Sequence, residues 1–203
     1  MKQYDSVGPN PHLVRMFMAE KGMTIPAKTV DLRGGENRQP EHLKRNPMGQ
    51  MPTLELDDGS YLAEITAICE YLEEKNPTPP MIGRTAEERA ECRMWTRRVD
   101  LNICEPLANG FRYAEGLKMF QNRIPCVPEA APGLKKVAAD RLRWLDSEIA
   151  NKEFLCGSRF TMADMMLYCW LDFGAKVGQP LDSANSNIAA WQARVAERPS
   201  AKA

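Results

Sequence analysis

A chain of 203 residues is long enough for one or two small domains with a buried core. Its 27 basic and 27 acidic residues cancel to a formal charge of zero, so no electrostatic field favours nucleic acid or an anionic membrane as a partner. The sequence shows neither an apolar run of the ~18 residues that span a bilayer nor a secretory signal, and we expect a cytoplasmic protein.

The cysteines and histidines do not predict a metal site. The six cysteines are scattered without a C-x-x-C pair, and there are only two histidines. Because zinc sites need clustered ligands of these types, we expect no metal. Reduced thiols, several of them buried in helices, are the expected state of the cysteines.

The chain opens with a predicted β-α-β unit. Residues 2–5 form the first strand, and Asn10-Pro11 is typical of a helix start, with Asn10 as the N-cap and Pro11 at the first helical position. Gly22 ends this helix, and residues 25–32 supply a second strand. Because a helix crosses over between them, the two strands should pair in parallel.

A short helix, a hairpin and a third helix follow. The short helix is predicted over residues 40–44. A strand over residues 51–56 has a proline near its start, where a missing N–H is tolerated, and it turns back at Asp58-Gly59. The third helix opens at Glu64 with apolar residues spaced along one face. The resulting order is β-α-β-α-β-β-α.

A proline-rich segment marks the domain boundary. It contains three prolines and a glycine, which do not fit inside a helix or a central strand. We therefore divide the chain into a first domain at residues 1–76, a linker at residues 77–84 and a second domain at residues 85–203.

The predicted second domain shows helical patterns only. Thr85 and Glu88 form a capping box that opens a long helix, in which Pro106 should cause a kink or a break. Thr161 and Asp164 form a second capping box, ahead of a helix that is apolar on all sides. Such a helix is expected in the centre of a bundle.

Three motifs resemble those of the glutathione S-transferase family, and together they span nearly the whole chain. They are the pair Met51-Pro52, the helix start at residues 64–68, and residues 157–164, which read Gly-x-x-Phe-Thr-x-Ala-Asp. The resemblance implies an α/β thioredoxin-like N-terminal domain and an all-α helical-bundle C-terminal domain. It also implies a homodimer.

The resemblance assigns a glutathione site to the first domain. In the family the proline at the position of Pro52 is cis, and the residue before it, here Met51, pairs its backbone with the cysteinyl part of glutathione. The acidic residue at the position of Glu64 holds the γ-glutamyl ammonium group. The backbone N–H of Ile65, at the positive end of the helix, takes the γ-glutamyl carboxylate.

Two further residues carry over, and one departs from the family pattern. Asn37 occupies the position that contacts the glycyl carboxylate, and Gln50 is expected to assist in binding glutathione. Ile65 stands where the family usually has a serine whose hydroxyl also bonds the γ-glutamyl carboxylate. Loss of that bond removes up to about 3 kcal/mol unless Thr66 substitutes, so the affinity for glutathione stays open.

The resemblance also places the residue that activates the glutathione thiol between the first strand and the first helix. A transferase needs the thiolate, and in the family a Ser, Tyr, Asn or Cys donates a hydrogen bond to the sulfur. No cysteine precedes Cys69, which argues against the cysteine-type branches. Asn10 matches the asparagine-type members and is our choice, with Ser6 as the alternative. Tyr4 should point into the sheet, and His12 should be a solvated residue of the first helical turn.

Two functions fit these features. The first is a glutathione transferase that conjugates glutathione to, or reduces, a hydrophobic electrophilic small molecule, whose identity the sequence does not specify. The second is a non-catalytic binding or interaction module, a role of the same fold in translation and stress-response proteins. Glu64 and Met51-Pro52 favour the first function, whereas Ile65 favours the second.

Overall fold

Four short strands form the sheet near the start of the chain. They are β1 Lys2–Asp5, β2 Ala27–Thr29, β3 Thr53–Glu55 and β4 Tyr61–Leu62. The computed structural model, which describes residues 1–203, gives the strand order β2-β1-β3-β4. β1 pairs in parallel with β2 and antiparallel with β3, and β3 pairs antiparallel with β4. The predicted β-α-β unit and hairpin are therefore confirmed.

The second strand is shorter than the predicted range of 25–32, although its pairing with β1 continues on both sides. The Gln3 N–H donates to the Pro26 carbonyl and the Val30 N–H donates to the Asp5 carbonyl, both at 2.8 Å. Pro26 has no N–H to donate in return, so the regular ladder cannot extend in that direction.

The first helix begins earlier than predicted, and Asn10 is not its N-cap. Helix α1 spans Pro9–Glu20, and Gly8 is the N-cap with φ 120°. Glycine reaches this conformation without a side-chain penalty, and a proline, which lacks an N–H, suits the first helical position. Asn10 therefore lies at the second helical position, and the N-cap prediction is wrong.

Two more helices complete this part of the chain, and α1 packs against the longer of them. They are α2 Pro40–Arg45 and α3 Ile65–Lys75. The most deeply buried side chains of α1 include Leu13, Met16 and Phe17, while α3 buries the predicted apolar residues Ile68, Cys69 and Leu72. The apolar faces of α1 and α3 form part of the core of this part of the chain, as the apolar periodicity predicts for α3.

A buried ion pair fixes the start of the proline-rich segment. Lys21, just after α1, places its Nζ 2.6 Å from the Glu73 carboxylate and donates to the Pro79 carbonyl at 2.8 Å. The Glu73 carboxylate also accepts the N–H groups of Met81 at 3.2 Å and Ile82 at 3.0 Å. This part of the linker is thus hydrogen-bonded to residues of the first domain.

The last residues of the chain return to α1. A short 3₁₀ turn over Pro199–Lys202 packs against that helix. His12 lies with Nε2 3.1 Å from the Ala201 carbonyl, and Ser200 Oγ donates to the Glu20 carboxylate. His12 is therefore half-buried against this turn, and its prediction as a solvated residue is wrong.

By its internal contacts the chain divides into two compact units. The first comprises Met1–Ile82 together with Pro199–Ala203, and the second comprises Gly83–Arg198. The second unit contains no strand and has six α-helices: α4 Ala86–Val99, α5 Glu105–Arg112, α6 Leu117–Phe120, α7 Ala131–Glu148, α8 Met162–Lys176 and α9 Ser186–Ala196. This confirms the predicted pairing of an α/β domain with an all-α domain. None of the helices has the length and apolar character needed to cross a membrane.

Pro106 does not interrupt the long helix of the second unit. α4 continues through a π-helical turn at Asp100–Cys104 directly into α5. In this turn the Glu105 N–H donates to the Asp100 carbonyl, five residues earlier. The wider turn accommodates the proline, which removes a backbone donor, and the helix continues.

The second predicted capping box is present at the start of α8. Asp164 is fully buried, and its carboxylate accepts the N–H groups of Thr161 and Leu155 (both 2.9 Å) and the indole N–H of Trp191 (3.0 Å). Burial raises the pKa of Asp164 to about 6, against the opposing effect of these donors. Asp164 thus joins three segments of the bundle at one buried carboxylate.

Candidate active site

One cavity of the first unit collects most of the residues that the sequence predicts for glutathione binding. It lies where the start of α1, the turn before β3 and the start of α3 meet. The lining residues are Asn10, Asn46, Gln50, Met51, Pro52, Glu64 and Ile65.

The Asn46 side chain makes two hydrogen bonds within the turn that leads into β3. Asn46 Nδ2 donates to the Gln50 carbonyl at 2.9 Å, and Asn46 Oδ1 accepts the Met48 N–H at 3.1 Å. The Met51-Pro52 peptide bond that follows is cis. Sequence analysis did not select Asn46 as a site residue, although an asparagine before a proline is a typical residue for organising a turn in this way.

Asn37 does not line the cavity but contacts the same turn. Its side chain is buried, and Nδ2 donates to the Gly49 carbonyl at 2.6 Å. Gly49 has φ 61°, and a Cβ there would lie 2.9 Å from the Asn37 carbonyl oxygen. Both the backbone conformation and the close approach of Asn37 therefore require glycine at this position.

Glu64 has an unusual backbone conformation at the start of α3. It is the N-cap, and its φ of 67° is the only positive value for a non-glycine residue in the chain. Such a conformation costs on the order of 1–3 kcal/mol and is often found at functional sites. The Glu64 side chain makes no capping hydrogen bond to the first-turn amides of α3, which have no acceptors within the helix.

The electrostatics of this end of the cavity suit a zwitterion. The carboxylate of Glu64 favours a cation, while the positive end of the α3 dipole at Ile65 favours an anion. An α-amino acid group carries both charges on neighbouring atoms. The arrangement can therefore bind the ammonium and carboxylate groups of one ligand side by side.

Of the four residues considered for thiol activation, only Asn10 lines the cavity. Ser6 is buried, and its Oγ donates to the Val30 carbonyl at 2.7 Å. Tyr4 points into the sheet as predicted, and its hydroxyl donates to the Glu55 carboxylate at 2.9 Å. Burial, followed by this hydrogen bond, raises the Tyr4 pKa above its ordinary value. Neither hydroxyl group is free to act in the cavity.

The α/β unit with its cis-proline cavity and the helical unit that follows define the class of glutathione transferase folds. Family models described as "Glutathione S-transferase, N-terminal domain" and "Glutathione S-transferase, C-terminal domain" match residues 7–75 and 112–199. The chain belongs to the glutathione S-transferase family.

Individual relatives support this assignment. Glutathione S-transferase 2 of Saccharomyces cerevisiae is 32% identical over 98% of this chain and 87% of its own length. The crystal structure of a glutathione S-transferase domain-containing protein from Marinobacter aquaeolei VT8 has a TM-score of 0.93 and 35% identity, covering 99% of this chain and all of that one. Elongation factor 1-gamma of Prunus avium is 33% identical over 70% of this chain but only 32% of its own length.

Proposed function

We propose that this protein is a glutathione transferase that binds glutathione in the cavity at the start of α3 and activates its thiolate. The thiolate would then attack, or reduce, a hydrophobic electrophilic small molecule. The observation that carries the proposal is that Asn10, Met51 and Glu64 line one cavity. Membership of the family supports glutathione transferase activity in general.

The γ-glutamyl group is assigned to the α3 end of the cavity. Glu64 pairs with its ammonium group, and the Ile65 N–H donates to its carboxylate. The backbone of Met51 pairs with the cysteinyl part as an added antiparallel strand, and Gln50 contacts the same ligand from the turn. Because the Asn37 amide is engaged with Gly49, we assign Asn37 to holding this turn in place of a direct contact with the glycyl carboxylate.

Asn10 is assigned to the thiolate. Its side-chain amide would donate a hydrogen bond to the sulfur from the first turn of α1. A hydrogen bond to a charged group contributes about 1.5–3 kcal/mol, which corresponds to a shift of about 1–2 units in the thiol pKa. That shift is enough to ionise a substantial fraction of an ordinary thiol near neutral pH.

A non-catalytic binding module is the second candidate function. Ile65 favours it, because isoleucine brings no hydroxyl group to the γ-glutamyl carboxylate. The similarity to elongation factor 1-gamma also favours it.

For either function we propose a homodimer, which is typical of the family. A monomeric mass by light scattering at micromolar concentration would exclude the homodimer.

Retention on immobilised glutathione, followed by turnover with a panel of small electrophiles, tests the proposal. A transferase would be retained, would be released by free glutathione, and would form the thioether product with at least one electrophile. Retention without turnover would favour the binding module. A protein that is not retained and shows no heat of binding to glutathione would contradict the transferase and favour an interaction module that does not bind glutathione.

A further inference from the structure

The short helix α2 is held in place through one buried histidine. His42 is 1% exposed and is the only buried residue among the six residues of α2. Its imidazole packs edge-on against the Tyr4 ring of β1, with ring centroids 6.3 Å apart and an interplanar angle of 76°. A helix of this length is not stable in water without tertiary packing. The position of α2 therefore depends on His42 staying buried.

The surroundings of the His42 ring suit its neutral form. Neither ring nitrogen makes a hydrogen bond of ordinary geometry, and burying an ion costs far more than burying a neutral polar group. Burial therefore lowers the pKa of His42, and the opposing effect of the Gln50 backbone is smaller. The neighbouring Tyr4 hydroxyl, whose pKa burial raises, is uncharged and donates to the Glu55 carboxylate.

The charged groups around this imidazole do not supply an anion for its protonated form. Arg45 on α2 and Arg38 in the 3₁₀ turn before α2 both disfavour protonation, whereas Glu36 in the same turn favours it. Glu36 already pairs with Lys28 at 3.4 Å, and Glu41 on α2 pairs with Arg45. A charged ring would therefore gain more from water than from the interior.

The C-terminal end of α2 connects His42 to the cavity. The Asn46 N–H donates to the His42 carbonyl at 2.9 Å. The Asn46 side chain lines the cavity and bonds the Gln50 carbonyl and the Met48 N–H. A shift of α2 away from the sheet would therefore displace both the Asn46 side chain and the turn that precedes Met51.

We propose that His42 is a pH-responsive positioning residue, which keeps α2 and the turn over residues 46–50 in the ligand-binding arrangement only while its ring is neutral. The proposal rests on the assignment of glutathione to this cavity. On acidification one proton from solvent binds the ring, which leaves the interior for water and releases α2. Opening becomes up to about tenfold more favourable for each pH unit below about 6.5, the ordinary histidine pKa, and the affinity for glutathione falls as open molecules accumulate.

Proton NMR of the ligand-free full chain tests the first step. The chain has only two histidines, and His12→Gln identifies which ring signal belongs to His42. We expect the His42 ring of the folded protein to titrate below the ordinary value of about 6.5. Titration at or above that value would overturn the proposal.

Amide hydrogen exchange of the same ligand-free protein tests the release of α2. After correction for intrinsic exchange rates, the amides of α2 and of the turn should lose up to about tenfold in protection per pH unit below about pH 6.5. Those of α8 in the other unit should stay protected. Constant protection of α2, or a joint loss in α2 and α8 that indicates global unfolding, would overturn the proposal.

Calorimetry with glutathione tests the connection to the cavity. His42→Phe keeps an aromatic ring against Tyr4 but cannot titrate, and His12→Gln is the matched histidine control. Wild type and His12→Gln should bind at least about threefold more weakly at about pH 5 than at about pH 7.5, which corresponds to about one third of the molecules remaining closed. His42→Phe should bind equally at both.

A smaller loss of affinity in wild type, or an equal loss in His42→Phe, would overturn the link between His42 and the cavity. If wild type does not bind glutathione at about pH 7.5, the proposed function fails instead, and the two ligand-free measurements still test the release of α2. Those measurements on wild type also decide the matter if His42→Phe fails to fold.

Discussion

The Asn46 side chain holds the Gln50 carbonyl with a hydrogen bond of 2.9 Å, one residue before the Met51-Pro52 pair that lines the cavity. The same side chain accepts the Met48 N–H. Both polar atoms of the Asn46 side chain are therefore bonded to the backbone of the turn. The geometry of the cavity at Met51 depends on a residue that the sequence motifs of the site do not include.

Replacing Asn46 should weaken ligand binding through the turn. Asn46→Ala removes both hydrogen bonds, and because the partner residues Met48 and Gln50 are exposed, each lost bond costs about 0.5–1.5 kcal/mol. We expect lower stability in urea and a lower affinity for glutathione by calorimetry. Asn151→Ala, at an exposed asparagine of the other unit, is the control and should change neither. Unchanged affinity in folded Asn46→Ala would show that the turn does not depend on this side chain.

A single substitution that breaks the buried Lys21–Glu73 ion pair should cause a large loss of stability. Lys21→Met leaves the Glu73 carboxylate charged and without its cation, which typically costs about 3–5 kcal/mol. Adding Glu73→Gln removes that charge and keeps an oxygen for one of the two N–H groups, those of Met81 and Ile82, which donate to different carboxylate oxygens. The double variant should therefore recover part of the loss. Urea unfolding measures the free energy of unfolding of wild type and of each variant.

The control for this pair is Lys176→Met, which breaks an exposed ion pair with Asp172 and should cost less than about 1 kcal/mol. If Lys21→Met were no more destabilised than Lys176→Met, the buried pair would not be what fixes the linker to the first unit.

Asp164 predicts a specific dependence of stability on pH. Its pKa is raised from 3.8 to about 6 on folding, so the folded protein binds more protons than the unfolded chain between these pH values. The stability that it contributes is therefore complete below its unfolded pKa and is lost as the pH rises through about 6. The change amounts to about 3 kcal/mol at most.

Comparison with Asp164→Asn isolates this contribution. The variant lacks the titrating group, so the difference in unfolding free energy between wild type and variant should decrease as the pH rises across that window. A difference that is constant with pH would show that Asp164 titrates at the same pKa in both states. A difference that increases would show that its pKa is lowered on folding.

Much of the fold follows from the sequence because local signals and packing agree. The Asp58-Gly59 turn, the apolar face of α3 and the Thr161-Asp164 capping box each have a local physical cause, and the structure contains all three. Pro106 shows the opposite case, because a π-helical turn in the preceding residues removes the break that a proline predicts. No local sequence pattern predicts this π-helical turn.

The candidate site likewise contains residues that sequence motifs predict and residues that only the folded structure reveals. Met51, Pro52 and Glu64 could be selected because they belong to motifs, whereas Asn46 contributes through a hydrogen bond that only the folded turn defines. The N-cap prediction for Asn10 failed because Gly8, two residues earlier, has the φ value that starts the helix. The return of residues 199–203 to α1 has no local signal either.

Asn10 can now be tested without the complication of a helix cap. At the second helical position, Asn10→Ala should change stability by less than about 1 kcal/mol. If Asn10 donates to the thiolate, the variant should raise the pKa of bound glutathione by about 1–2 units and lower turnover, with little change in affinity. The absorbance of the thiolate in the bound complex, measured against pH, gives this value. Superimposable titrations for wild type, Asn10→Ala and Asn10→Ser would remove Asn10 from the mechanism.

The most direct test of the glutathione site is a calorimetric titration of glutathione into wild type, Glu64→Gln and Glu64→Gly. Gln keeps the length of the side chain but not its charge, and Gly accepts the φ of 67° without strain, so both variants should fold. We predict that wild type binds and that both variants lose at least about tenfold in affinity, or 1.4 kcal/mol, because the ligand's ammonium group has lost its partner. Binding by the two variants with wild-type affinity would contradict the assignment of this cavity to glutathione.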